Sequence, residues 1–163
     1  MGLLIRSIAL LLVFSLSSRA VQSDKQVERL QKERANLTRQ TDPVGRTKTQ
    51  IKISEVLLTL ISNAVQAGDM DLMQKYIGEY LVTIEDAHQT MMKTGRDAHR
   101  KPGGFKDLEI ALRRHVRQLV DIGKALTFDE REPLDKAKEE AIDIRDDLLK
   151  ALFGEQNAPS RKS

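Results

Sequence analysis

The chain of 163 residues contains no cysteine and no tryptophan, and aromatic residues make up only 4% of it. Without cysteine there can be no disulfide bond and no lipid-modified lipoprotein cysteine. With so few aromatic side chains, a core must consist mainly of Leu, Ile, Val, Ala and Met. The stability of the fold therefore has to come from aliphatic packing.

A strong net charge is also lacking. The whole chain carries a formal charge of +3. Removal of residues 1–20 would take away Arg6 and Arg19 and no acid, leaving 25 basic and 24 acidic side chains. A nearly neutral chain lacks the positive electrostatic potential that attracts nucleic acid, so we expect no nucleic-acid partner. The hydrophobic content of 40% and charged content of 31% are typical of one folded, helix-rich domain.

Residues 1–20 have the pattern of a secretory signal peptide. Arg6 supplies the positive charge, residues 7–16 form an apolar stretch, and residues 18–20 offer small side chains for cleavage. The apolar run is shorter than the roughly 20 residues that span a bilayer comfortably. We therefore expect a secreted or periplasmic protein. The alternative is an uncleaved N-terminal anchor, which would be the chain's means of membrane association.

The stretch from Ile51 to Gln66 is predicted to be the central helix. At 100° per residue its apolar side chains cover an arc of roughly 220°, about twice the stripe of an ordinary surface helix. A helix with so wide an apolar face needs neighbours on two sides. It should therefore lie inside a small helical bundle.

Helix start and stop signals divide the remaining chain. Pro43 after Asp42 begins the central helix, and Gly68 ends it. Further helices are expected at about Met70–Lys93, Phe105–Leu126 and Glu132–Phe153, separated by a loop at Thr94–Gly104 and a corner at Thr127–Pro133. Residues 21–42 predict a thin amphipathic helix with a coiled-coil-like spacing, and residues 155–163 a disordered tail. The prediction is an all-α fold: an up-down-up-down four-helix bundle over residues 43–154 with an additional N-terminal amphipathic helix.

Three side chains are candidate metal ligands. His88 and His115 fall within the apolar arcs of successive helices, which we expect to be antiparallel neighbours with the two imidazoles at similar heights. Met91 shares the face of His88 at a spacing of i, i+3. Imidazole suits zinc and copper, and thioether sulfur suits copper(I). The competing interpretation is that the histidines are neutral packing residues and that Met91 fills the core.

No nucleophile arrangement and no phosphate-binding glycine loop is present, so we expect a protein that is not an enzyme and has no cofactor. The hypothesis from the sequence is an exported helical bundle that acts through contacts with an unknown protein partner. The N-terminal helix and the loop Thr94–Gly104 are the candidate contact elements, and Ile110 marks an apolar spot among the bases of its helix. A zinc- or copper-binding bundle is the alternative function, and an anionic membrane surface is the alternative target for that basic helix.

Overall fold

The computed structural model describes residues 23–154 and is all-helical over this range, with five helices and no strand. The helices are α1 (residues 23–37), α2 (Pro43–Ala67), α3 (Met70–Met92), α4 (Phe105–Gly123) and α5 (Phe128–Phe153). The predicted all-α helical bundle is confirmed for this range. The predicted signal peptide at 1–20 and the predicted disordered tail at 155–163 lie outside the described residues.

The boundaries of α2 and α3 follow from their capping residues. The Asp42 carboxylate accepts a hydrogen bond from the backbone N–H of Gly45 at 2.7 Å, and Pro43 occupies the first helical turn. Gly68 ends α2 in the left-handed conformation, with φ of 71°. Asp69 then caps α3 by accepting from the N–H of Leu72 at 2.9 Å. So short a connection holds α2 and α3 side by side.

Helix α5 begins at Phe128, earlier than the predicted Glu132. The cause is a start signal in Thr127-Phe128-Asp129-Glu130, in which the Glu130 carboxylate accepts hydrogen bonds from the Thr127 N–H at 3.0 Å and from its hydroxyl at 2.7 Å. Pro133 therefore lies in the second turn of the helix instead of at its start. Helix α4 in turn ends at Gly123, before the predicted Leu126.

The helices surround the core in an order that differs from their order in the chain. Helix α2 packs against α3 and α4, and α5 packs against the same two helices, whereas α3 and α4 have the fewest contacts of the helix pairs that touch. The order around the core is α2, α3, α5, α4. In a simple up-down-up-down bundle consecutive helices are neighbours, so the expected close pairing of α3 with α4 does not hold. The connection at residues 93–104 lets α4 lie diagonally opposite α3, and only the start of α4 comes close to the end of α3, where Gly104 approaches Met91.

Ion pairs fix the direction of α4 relative to α2. Lys48 lies 3.6 Å from Asp107, and about two turns further along both helices Glu55 lies 2.9 Å from Arg114. Because residue numbers rise together in the two helices, α2 and α4 run parallel.

Helix α2 is the centre of the core, as its apolar arc predicts. Its contacts with both α3 and α4 leave almost none of its apolar side chains exposed to solvent. The side chains that are at most 2% exposed are Ile53, Val56, Leu57, Leu58, Leu60, Ile61 and Ala64. Helix α1 lies against α2 and α3. Its Leu30 is buried, and its Arg34 forms an ion pair of 2.7 Å with Glu79 of α3.

Candidate functional site

His115, the first predicted metal ligand, is buried across the core from α3. Its Nδ1 lies 3.3 Å from the hydroxyl of Tyr80, and both side chains are almost fully shielded from solvent. Burial, together with the nearby charge of Arg114, lowers the pKa of His115 to about 4, so the imidazole is neutral at ordinary pH. Burial also raises the pKa of the Tyr80 hydroxyl. The pair is a neutral hydrogen-bonded contact within the core.

His88, the second predicted ligand, lies on α3 and is also buried. Its Nδ1 is 3.9 Å from the carboxylate of Glu85, one turn earlier, which is too long for a hydrogen bond. Neither ring nitrogen of His88 has a hydrogen-bond partner among the described residues. The imidazole therefore remains a polar group of the core with its hydrogen bonds unmade.

Met91, the third predicted ligand, is fully buried and packs against the start of α4. A Cβ added to Gly104 would lie 2.5 Å from its sulfur, and Gly104 has φ of 86°. Within residues 23–154, no group of three or more His, Asp and Glu side chains is arranged to hold a metal ion. Metal binding by His88, His115 and Met91 stays a prediction, which elemental analysis and thermal melts with added zinc or copper would check.

Glu109 forms a buried charged cluster with two arginines, although no pattern in the sequence marks it. Its carboxylate is 3% exposed and accepts hydrogen bonds from Arg113 Nη2 at 2.6 Å and from Arg145 Nε of α5 at 3.0 Å. Burial alone would raise the pKa of Glu109, but the bonds and charges of the two arginines outweigh it and hold the pKa below its usual value. The cluster fastens α4 to α5.

Beside this cluster lies a pocket of about 500 Å³ between the loop before α4, α4 itself and the end of α5. We call it the α4–α5 pocket. Ile110 and Phe153 on its walls are 41% and 58% exposed, so the pocket presents two large apolar side chains to solvent. The lining residues are Ala98, His99, Pro102, Lys106, Glu109, Ile110, Arg113, Leu149, Leu152 and Phe153.

The rim of the α4–α5 pocket is basic. The loop and the first turn of α4, residues 93–108, contain five Lys or Arg residues and two acids, Asp97 and Asp107. Asp97 is engaged locally, since its carboxylate lies 3.5 Å from Arg100 and accepts from the N–H of His99 at 3.0 Å. The His99 ring reaches across to the carbonyl of Leu152 at 3.2 Å, which joins the loop to α5. The result is an apolar pocket with a positively charged border.

The sequence indicated parts of this surface but not its assembly. Ile110 was recognisable as an apolar residue among charged neighbours, and the loop Thr94–Gly104 as an exposed connection. Phe153 has no such signal, because a terminal apolar residue of an amphipathic helix is ordinarily buried. Only the fold shows that the end of α5 reaches the loop before α4.

No helix among residues 23–154 is long and apolar enough to cross a membrane. No protein-family model, curated protein or solved structure matches the chain. The case for a function therefore rests on the geometry of the chain's own side chains.

Proposed function

We propose that the protein is an exported, non-enzymatic helical bundle that binds another protein through the α4–α5 pocket. The observation that carries this proposal is the exposure of Ile110 and Phe153 on the walls of one concave, largely apolar pocket. Large apolar side chains that converge at the surface are typical of protein-binding sites. A partner's apolar side chain inserted between them would remove both from water.

The border of the pocket indicates the charge of the partner. Lys106 and Arg113 line the pocket, Arg113 being bonded to Glu109, and the adjoining loop at residues 93–104 carries four further bases. Complementary charge accelerates association and selects the partner. The surface therefore fits an acidic segment that presents an apolar side chain, such as one face of an amphipathic helix.

The concave shape favours a protein over an anionic membrane. A bilayer would meet the basic side chains at its surface but could not follow a recess of about 500 Å³ between two helices and a loop. A single side chain of a partner can fill such a recess, as anchor residues do in protein interfaces.

Site-specific photo-cross-linking in the cells that produce the protein tests the proposal. A photoreactive residue at position 110 should yield a discrete cross-linked protein, whereas the same residue at position 120 should not. Val120 is the matched control, because it is an equally exposed apolar residue of α4, at 47%, and does not line the pocket. Replacement of Lys106 by Glu, which leaves the Glu109 cluster intact, should strongly reduce the product from position 110.

Two outcomes would contradict the proposal. Equal products from positions 110 and 120, or none from 110, would show that the pocket is not a protein-binding surface. Flotation of the purified protein with vesicles containing phosphatidylglycerol, lost in the Lys106→Glu variant, would instead assign this surface to an anionic membrane.

A further inference from the structure

The start of α5 presents a large apolar side chain almost entirely to water. Phe128, the first residue of this helix, is 88% exposed, more than any other large apolar side chain among residues 23–154. An aromatic ring in this position forgoes the hydrophobic free energy that burial would supply. Phe128 is therefore suited to act as an anchor that a concave apolar surface buries.

The chain around Phe128 is acidic. The first half of α5, residues 128–140, contains six acids and three bases. Three of the acids are exposed within four residues of Phe128, namely Asp129, Glu130 and Glu132. The nearest base, Arg131, is turned back toward the end of α4, where it donates to the carbonyl of Leu126 at 3.4 Å. Phe128 thus belongs to an acidic segment that presents one apolar side chain.

This segment has the chemistry that the α4–α5 pocket requires of its partner. The border of the pocket, residues 93–108, contains five bases and two acids, which complements the excess of acids in residues 128–140. The volume of about 500 Å³ is sufficient for one aromatic ring. The exposed walls at Ile110 and Phe153 would cover such a ring, and two phenyl rings in contact attract each other beyond their burial.

One copy of the chain cannot bring Phe128 into its own pocket. Phe128 and Phe153 are the first and last residues of α5, a helix of 26 residues, so they lie about 37 Å apart along its axis. The helix is held in the core along its whole length by side chains that are at most 1% exposed, including Leu134, Ala141 and Leu148. A Phe128 that fills the pocket must therefore come from a second copy.

We propose that the protein associates head to tail, with Phe128 of one copy inserted into the α4–α5 pocket of the next. This inference rests on the proposed function, since it names the partner of that pocket as a second copy of the chain. The contact joins two different surfaces at opposite ends of α5, so each pair retains one unused pocket and one exposed Phe128, and the assembly can grow. One anchor with a border of charges buries little area, so the association should be weak and should decrease as salt rises.

Sedimentation velocity of the purified protein over a range of concentrations tests the proposal. Phe128→Ser and Ile110→Asp should each weaken self-association by about tenfold or more, and both positions are exposed, so the fold should be retained. Val82→Ser is the matched control, because it removes an apolar side chain of α3 that is 63% exposed and lies outside both surfaces, and it should have no effect.

A mixture of the two weakened variants gives the sharper result. Phe128→Ser keeps an intact pocket, and Ile110→Asp keeps an intact Phe128. Each variant alone should sediment as a monomer at concentrations where the unchanged protein associates. Mixed at equal concentrations, they should form a dimer of one copy of each and nothing larger, because only one complete contact remains.

Three outcomes would overturn the head-to-tail contact: a monomer at every concentration, association that survives Phe128→Ser, and a mixture of variants that forms no dimer. The proposed function can be judged separately from the cross-link at position 110. A monomeric protein that still cross-links to a different protein in cells keeps the proposed function and removes the second copy as partner. A product of two copies, joined between position 110 and residues 128–132, supports both proposals, and no product from position 110 contradicts both.

Discussion

Glu109 and Gln50 are two buried polar side chains of nearly equal length, and the fold treats them in opposite ways. Glu109 of α4 is 3% exposed and is held by two arginines, one from its own helix and one from α5. Gln50 of α2 is 1% exposed and has no partner among the described residues. One of the two sites is complete within the chain, and the other is not.

The difference follows from charge. Burial of an ionised carboxylate loses its hydration free energy, and this loss must be offset by bonds to positively charged partners. The two arginines are therefore required for the fold. A neutral amide loses less on burial, and a folded protein can tolerate one unpaired. A buried charge therefore reports how the helices are joined, whereas a buried unpaired amide such as Gln50 lowers the stability of the fold without joining helices.

The largest expected effect concerns His115, a buried group that stays neutral. Its pKa of about 4 lies below the ordinary value of 6.5. Between these values the unfolded chain binds a proton and the folded chain does not, so stability falls as pH drops from about 6.5 to 4. The loss is roughly 3 kcal/mol at the acid end of this window. Urea unfolding at pH 7 and pH 4 should show a steeper decline for the unchanged protein than for His115→Asn.

His115→Asn is the suitable variant because an amide can still bond to the Tyr80 hydroxyl while carrying no titratable proton. Carboxylates also contribute to acid sensitivity, so the difference between the two declines is the quantity that reports His115. Parallel declines would show that the imidazole is solvated and protonated within the folded protein.

The next largest effect is expected for Glu109→Gln, which gives position 109 the same side chain as Gln50. Glu109→Gln keeps the shape but removes the charge that binds Arg113 and Arg145. We expect a loss of about 2 kcal/mol at pH 7, less than for a fully buried pair, because both arginines are partly exposed and can be hydrated.

The pH dependence of this loss has a defined sign. Because the pKa of Glu109 is lowered in the folded state, its contribution is present above the ordinary carboxyl value and disappears as pH falls through the lowered pKa. Urea unfolding curves of Glu109→Gln and the unchanged protein should therefore converge at acid pH. A constant gap across this range would mean that packing, and not charge, is responsible.

The third expected effect is an increase in the free energy of unfolding, where the first two are decreases. Gln50→Met replaces the unpaired amide by an apolar side chain of similar size, so we expect stability to rise by about 1 kcal/mol. For a chain of this length the melting temperature should increase by about 3 °C. Calorimetry checks this, with Gln74→Met as the exposed control, for which no change is expected. A melting temperature lowered by Gln50→Met would show that the amide is already satisfied in the folded protein.

Local signals in the sequence predict most of the helices but not the order in which they surround the core. The apolar arc of Ile51–Gln66 and the caps at Asp42 and Asp69 depend on neighbouring residues, so they can be read directly. The predicted start of α5 at Glu132 is wrong, because the capping pair of Thr127 and Glu130 begins the helix at Phe128 and the helix accommodates Pro133 in its second turn. The order α2, α3, α5, α4 depends on contacts between distant residues, for which the sequence contains no comparable signal.

The same limit applies to the candidate sites. His88 and His115 attract attention as residue types, yet their surroundings depend on helix pairing. Glu109 looks like an ordinary surface acid until Arg145 of α5 is placed beside it. Gln50 looks polar and exposed until α1 and α3 enclose it. Residue type suggests chemistry, and only packing decides which groups are left incomplete.

The smallest effect is expected at the ion pair of Lys124 and Asp121, which is as short as that of Arg113 and Glu109 but exposed to solvent. Lys124 Nζ and Asp121 Oδ1 are 2.6 Å apart, as close as Arg113 and Glu109, but the two side chains are 72% and 68% exposed. Water and salt screen such a pair, and the negative Asp121 lies in the last turn of α4, where the helix dipole disfavours it. Asp121→Asn should change the free energy of unfolding by less than about 0.5 kcal/mol in urea at pH 7. A loss as large as that of Glu109→Gln would show that distance, and not burial, sets the strength of these pairs.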